Sequence, residues 1–196
     1  HREGAVGESP CSKRVARLED RPGLRKREDA MSEEIFDVVD ANDQVIGQKT
    51  RSEVHRLGLR HRAIHLLVFN AKGELFLQKR SIKKDCFPGT WDSSVSGHVD
   101  AGETYDACAL REPREEIGLE LATVPQRLFT IDACDATAQE FVWVFRCEHE
   151  GPFQLNSDEL SDGGWFASGK ITDWIASASK EFAPAFVLIW QLLREE

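Results

Sequence analysis

Long apolar runs are missing from this sequence. The longest, Ala183 to Leu193, is interrupted by Pro184 and Gln191, and it falls short of the ~20 residues that cross a bilayer, so no membrane-spanning helix is expected. An excess of positive charge is missing as well: 25 Lys and Arg stand against 34 Asp and Glu, a net charge of −9. That balance disfavours a protein that grips a nucleic-acid backbone, since such proteins neutralise phosphates with surplus Lys and Arg. The five cysteines show no CxxC pair and no Cys/His ligand spacing, and no secretory signal precedes them. Reduced thiols and a cytoplasmic location are the expectation. Glycine and proline, 14 and 7 of 196 residues, are too few for a collagen-like or wholly disordered chain.

What remains is the composition of one globular domain, with 41% hydrophobic and 30% charged residues in 196. Residues 1–30 stand apart: they hold eight Lys/Arg, six Asp/Glu and few apolar side chains, and read as a disordered leader. Met31, the single methionine, is the expected biological start of the domain at residues 31–196. Without the leader the count is 17 basic against 28 acidic residues, a net of −11. An acidic protein that handles phosphate needs a metal ion as intermediary.

From Glu34 onward, short strands separated by turns are expected: a hairpin over IFDVVD, ANDQ and residues 45–48, then a second from His61 to Arg80 about the Asn70-Ala71-Lys72-Gly73 turn. Trp91 to Ser96 reads as another short strand. Thr104 is placed to cap a helix that Gly118 stops. Strands follow at residues 126–133, 139–148 and 165–167, and helices near 171–178 and 184–195, the last with proline in its first turn. Strands and helices do not alternate regularly, so a mixed sheet flanked by helices fits better than a doubly wound one.

The segment Gly97-His-Val-Asp-Ala-Gly-Glu103, followed by seven residues and Arg111-Glu112-Pro113-Arg114-Glu115-Glu116-Ile117-Gly118-Leu119, carries the chemistry. On a helix Glu112, Glu115 and Glu116 stand at i, i+3 and i+4, so their carboxylates share one face. They form either a solvated acidic stripe or a site for a hard cation, Mg²⁺ or Mn²⁺. The segment resembles the signature of the Nudix hydrolases, G-x5-E-x7-R-E-U-x-E-E-x-G-U with U a bulky aliphatic residue. Gly97, Glu103, Arg111, Glu112, Glu115, Glu116, Gly118 and Leu119 fall at their positions in it.

The resemblance implies an α/β fold (α+β), an α/β/α sandwich with a mixed sheet, and water attack on a small-molecule diphosphate. It implies Glu115 and Glu116 as main metal ligands with Glu112 beside them, and the Gly97 carbonyl close to the metal. Glu103 would support the loop and Arg111 would orient the glutamates. Glu116 or Glu140 would take the proton of the attacking water. Pro113 departs from the pattern: within a helix it removes a hydrogen bond and clashes with the preceding turn at ~3 kcal/mol. A kinked or weakened ligand cluster is expected, with gains in stability and turnover in Pro113→Leu.

Beyond the signature, His61 to Asn70, Gln78-Lys-Arg-Ser-Ile-Lys-Lys84 and Phe87-Pro-Gly-Thr-Trp-Asp-Ser-Ser-Val-Ser-Gly-His98 resemble the isopentenyl diphosphate isomerase branch of the superfamily. That likeness implies Arg80, Lys84 and Arg51 as diphosphate-binding residues. It places metal histidines at His61 and His98, with His55 one residue out of register. The branch's acid/base cysteine is Ser96 here, and its paired glutamates correspond to Ala138 and Glu140. A serine hydroxyl is far less acidic than a thiol of pKa about 8.5, so hydrolysis is expected over isomerisation. A catalytically weakened module that binds a diphosphate metabolite is the alternative from another class. His65 and the aromatics Trp91, Trp143, Trp165 and Phe166 read as core, Phe87 with them, and Cys86 has no identifiable activating partner. Oligomeric state is left open.

Overall fold

Every residue of the segment His61–Phe69 except Arg62 is buried, on both faces, which requires apolar layers above and below the strand. In the computed structural model, which describes residues 33–195, those layers are present. Residues 1–32 and 196 lie outside the described residues, and with them the expected leader and the start at Met31.

The chain forms β1 (Ile35–Val39), β2 (Val45–Thr50), α1 (Arg51–Leu57), β3 (His61–Phe69), β4 (Leu75–Arg80), β5 (Trp91–Asp92), β6 (Val95–His98), α2 (Tyr105–Ile117), β7 (Gln126–Ile131), β8 (Glu140–Glu148), β9 (Leu160–Phe166), α3 (Ser168–Ala178), a 3₁₀ turn (Ser179–Glu181) and α4 (Pro184–Leu193). β1 and β2 make a separate antiparallel pair. The main sheet has seven strands in the order β5-β4-β3-β8-β7, with β6 also on β3 and β9 also on β4. β3 and β8 run parallel while the other pairs are antiparallel. Successive side chains of β3 point to opposite faces. Ile64, Leu66 and Val68 meet Tyr105, Cys108, Ala109 and Ile117 of α2. Ala63, Leu67 and Phe69 meet Ile171 of α3 and Phe186, Ile189 and Trp190 of α4. This is the expected α/β/α sandwich.

Three local expectations differ from the structure. The second hairpin turns where expected, but β3 and β4 pair at Phe69↔Leu75 and then diverge. Ser94 fills the split, its hydroxyl accepting from Val68 N–H and donating to the Phe76 carbonyl. Residues 51–57 form a helix the strand-and-turn reading passed over. Its start is a Thr50-x-x-Glu53 capping pair, with the Thr50 hydroxyl accepting from Glu53 N–H, and its end is Gly58 at φ 60°. Finally, α2 runs unbroken through Pro113. The buried proline ring removes one helix hydrogen bond. Outside the helix, Gln154 N–H donates to the Ile117 carbonyl and Asn156 N–H to that of Glu116, so the end of α2 is held by a neighbouring segment.

Candidate active site

Strand register decides what meets at the start of β3. The parallel ladder with β8 sets Glu140 opposite His61, and the antiparallel ladder with β6 sets His98 opposite Ala63. α1 brings His55 to the same place, so its position in sequence, out of step with the isomerase pattern, does not keep it away. One donor atom from each of His55, His61, His98 and Glu140 lies within 4.8 Å of the other three. Phe36 of β1 backs the group, its ring stacked 5.7 Å from His61 and 4.6 Å from His98.

The hydrogen bonds assign the protons. His61 Nδ1 is 2.9 Å from the Leu59 carbonyl and so carries the hydrogen, which turns the lone pair of Nε2 toward Glu140 Oε1 at 3.5 Å. That buried nitrogen has no hydrogen-bond partner among the described residues. His98 Nε2 donates to the same oxygen at 3.0 Å, and its Nδ1 faces an Arg51 N–H at 3.4 Å. Burial pushes His98 down to about 4, outweighing the pull of Glu140. Burial also works against the charge of Glu140, yet the N–H that His98 donates holds its carboxyl far below the ordinary range. Glu140 directly follows two residues at positive φ, Ala138 at 53° and Gln139 at 68°, an uncommon backbone that aims the side chain inward.

The helix carboxylates converge next to this group. Arg111 binds Glu103 through two nitrogens at 2.7 and 2.9 Å, Glu112 at 2.7 Å and Glu115 at 3.1 Å, and it donates to the His98 carbonyl at 3.0 Å. One guanidinium therefore ties the Gly97–Glu103 loop to the acidic face of α2. Glu103 in turn accepts from Asp100 N–H at 3.0 Å. Gly97 is needed because a Cβ there would lie 2.1 Å from Glu112 Cδ. Glu116 is buried, and its Oε2 accepts from Ser96 N–H at 3.1 Å and Gln78 Nε2 at 3.2 Å. Burial pushes Glu112 up to about 7, with Arg111 opposing, and raises Glu116 still more clearly, reinforced by the charge of Glu112. These are carboxylates short of positive charge.

A cavity of about 280 Å³ is lined by Glu112, Glu115, Glu116, Gly97, His98 and Glu140, and by the three basic residues singled out in the sequence, Arg51, Arg80 and Lys84. Each of these cations is held by carboxylates: Arg51 by Glu34 at 2.8 Å and Asp85 at 2.9 Å, Arg80 by Asp92 at 3.4 Å, and Lys84 by Glu159. Arg111 and His61 stand behind the lining, the first against the glutamates and the second against Glu140. Trp91, Trp143, Trp165 and Phe166 pack against other aromatics, as read from the sequence, while Phe87 faces the cavity at φ 48°. His65 is buried and bonded to Ser93 at 2.8 Å. Sequence reasoning missed Glu34, Asp85, Asp92, Asn156 and Glu159, which carry no local pattern, and it left Cys86 without the partner it has in His55, 3.7 Å away.

Known proteins are similar to this chain. The NUDIX domain family matches residues 59–186. An uncharacterised Nudix hydrolase of Nostoc sp. is 35% identical over 146 residues, 72% of this chain and 85% of its own length. Another, from Streptomyces coelicolor, is 32% identical over 169 residues, 83% and 90% of the two chains. The crystal structure of DR0079 from Deinococcus radiodurans superposes with a TM-score of 0.70 at 30% identity, over 83% of this chain and 98% of that one. The fold and these relatives define a hydrolase of phosphoric anhydride bonds. The chain belongs to the Nudix family, whose members generally use a divalent cation.

Proposed function

We propose that the chain is a Mg²⁺- or Mn²⁺-dependent pyrophosphohydrolase that cleaves a small nucleoside-diphosphate-linked or other organic diphosphate. The observation that carries this reading is a single cavity that gathers three helix carboxylates and three cationic side chains. The residues fit a hard cation: burial raises Glu112 and Glu116 together, Arg111 offsets the charge of Glu112 only in part, and Gly97 leaves room beside Glu112. Glu112, Glu115, Glu116 and the Gly97 carbonyl would hold the ion. When bound, it offsets the charge of the diphosphate and acidifies the attacking water.

The chain supplies the rest. Arg51, Arg80 and Lys84 bind phosphoryl oxygens, already oriented by Glu34, Asp85, Asp92 and Glu159, so little ordering is left for substrate to impose. Arg111 keeps Glu112 and Glu115 in register with the loop. Glu140, held ionised by the N–H of His98, is a poor proton acceptor. The proton of the attacking water therefore falls to a carboxylate of α2 such as Glu116, which lines the same cavity. His61 and His98, with His55 and Glu140, offer a second cation site of imidazole and carboxylate donors, supported by the orphaned lone pair of His61.

That imidazole group favours one second reading, an isomerase-like enzyme. Against it, the Ser96 hydroxyl donates to Asp92 and the Ala138 side chain is a methyl group, so neither supplies an acid/base. Mg²⁺-dependent phosphate release over nucleotide sugars, dinucleotides, coenzyme A, thiamine diphosphate and prenyl diphosphates tests the proposal. Turnover of at least one of these, reduced about 10²-fold or more in Glu116→Gln, is the expected result. Tight binding without turnover overturns it in favour of a binding module, and deuterium exchange into isopentenyl diphosphate overturns it in favour of the isomerase.

A further inference from the structure

Cys86 takes no part in the proposed hydrolysis, yet its surroundings are those of a metal ligand. Its Sγ lies 3.7 Å from His55 Nδ1, and the same nitrogen lies 3.8 Å from Asp85 Oδ2. One donor atom from each of the three falls within 4.8 Å of the other two. Zn–S bonds of about 2.3 Å and Zn–N or Zn–O bonds of about 2.0–2.1 Å, at tetrahedral angles, set neighbouring donors about 3.3–3.6 Å apart. The two separations seen here exceed that spacing by less than about half an ångström, within reach of a small side-chain movement. The donors come from α1 and from the segment between β4 and β5, so tertiary folding assembles them.

We propose that His55, Asp85 and Cys86 form a site for a thiophilic divalent cation such as Zn²⁺, separate from the glutamates of α2 and drawing His55 away from the group it forms with His61, His98 and Glu140. Thiolate is a ligand for soft and borderline ions and a poor one for Mg²⁺, so the two sites sort metals by donor type. Binding releases the Cys86 thiol proton to solvent as the sulfur bonds to the cation. Asp85 already accepts from Arg51 Nε at 3.2 Å and from its terminal nitrogen at 2.9 Å. A cation here competes with Arg51 for that carboxylate, and the three protein ligands leave the fourth position to water.

The test uses the full chain in reduced form, with Co²⁺ as spectroscopic probe and Zn²⁺ as competitor. Native protein is expected to show a thiolate-to-Co²⁺ charge-transfer absorption that Zn²⁺ abolishes, that survives Cys134→Ser and Cys147→Ser, and that is lost in Cys86→Ser. Competition with a chromophoric chelator should give Zn²⁺ binding at least about tenfold weaker in Asp85→Asn and Cys86→Ser, since even indirect partners of a metal contribute 10–100-fold. No charge-transfer band in the native chain overturns the proposal, as does a band that persists in Cys86→Ser. Should Cys86→Ser fail to fold by circular dichroism, Asp85→Asn decides: unchanged Zn²⁺ affinity overturns the site, weakened affinity supports it.

Discussion

Gly97 shows how closely the acidic site is packed. Its place in the signature is explained by contact, because Glu112 occupies the volume a side chain would need. Gly97→Ala is expected to lower stability by about 1–3 kcal/mol through overcrowding and to weaken Mg²⁺ activation. Gly47, where an added Cβ would meet nothing within 4 Å, serves as control: Gly47→Ala should leave both unchanged. Thermal melts and Mg²⁺ titrations of the two variants check this.

The same glutamate links metal to pH. Burial raises Glu112 from 4.5 to about 7 on folding, so the folded chain holds more protons than the unfolded one across that window. Its contribution to stability is therefore full below 4.5 and lost as pH rises through about 7. His98, lowered from 6.5 to about 4, acts in the opposite sense: its contribution is lost as pH falls from 6.5 toward 4. The difference between Mg²⁺-loaded and metal-free protein separates Glu112, with its neighbour Glu116, from His98. The rise in Tm on adding Mg²⁺ is expected to be larger at about pH 8 than at about pH 6, because the cation answers a charge present mainly at the higher value. Equal shifts at both would contradict this account.

For α2, the proline penalty and the placement of ligands separate. The helix continues through Pro113, and Glu112, Glu115 and Glu116 line one cavity. The missing hydrogen bond remains. Pro113→Leu should therefore raise Tm, by an amount below the ~3 kcal/mol that proline removes from a helix interior, while kcat stays near its starting value. A large gain in kcat would show that the proline does distort the site. The short helix α1 carries the opposite lesson. With Val54 as its one buried side chain, it lacks the apolar periodicity by which helices are read, and the capping pair Thr50 and Glu53 with Gly58 was the available signal.

The sandwich as a unit has its core between the sheet and the helices on its two faces, and among the described residues the buried members of that core begin at Val39. We propose that residues 31–196 are the folding unit. A chain beginning at Met31 should melt within a degree or so of the full one, since a change of about 1 kcal/mol would move Tm by roughly 2–4 °C in a domain of this size; a larger drop would place part of the core upstream. No helix among the described residues is long and apolar enough to cross a membrane.

Local spacing was enough to locate the acidic face of α2, with its Thr104 cap and Gly118 stop, because the helix period sets which neighbours in sequence share a side. The same reasoning could not join His61 to Glu140, far apart in sequence but paired across a parallel ladder, nor bring His55 and Cys86 together from α1 and the β4–β5 segment. It also could not foresee that β3 would leave β4 for β8 and β6. Those pairings depend on register between distant segments, which is settled when both faces of the central strand are buried at once and each one-residue slip would turn its apolar side chains the wrong way.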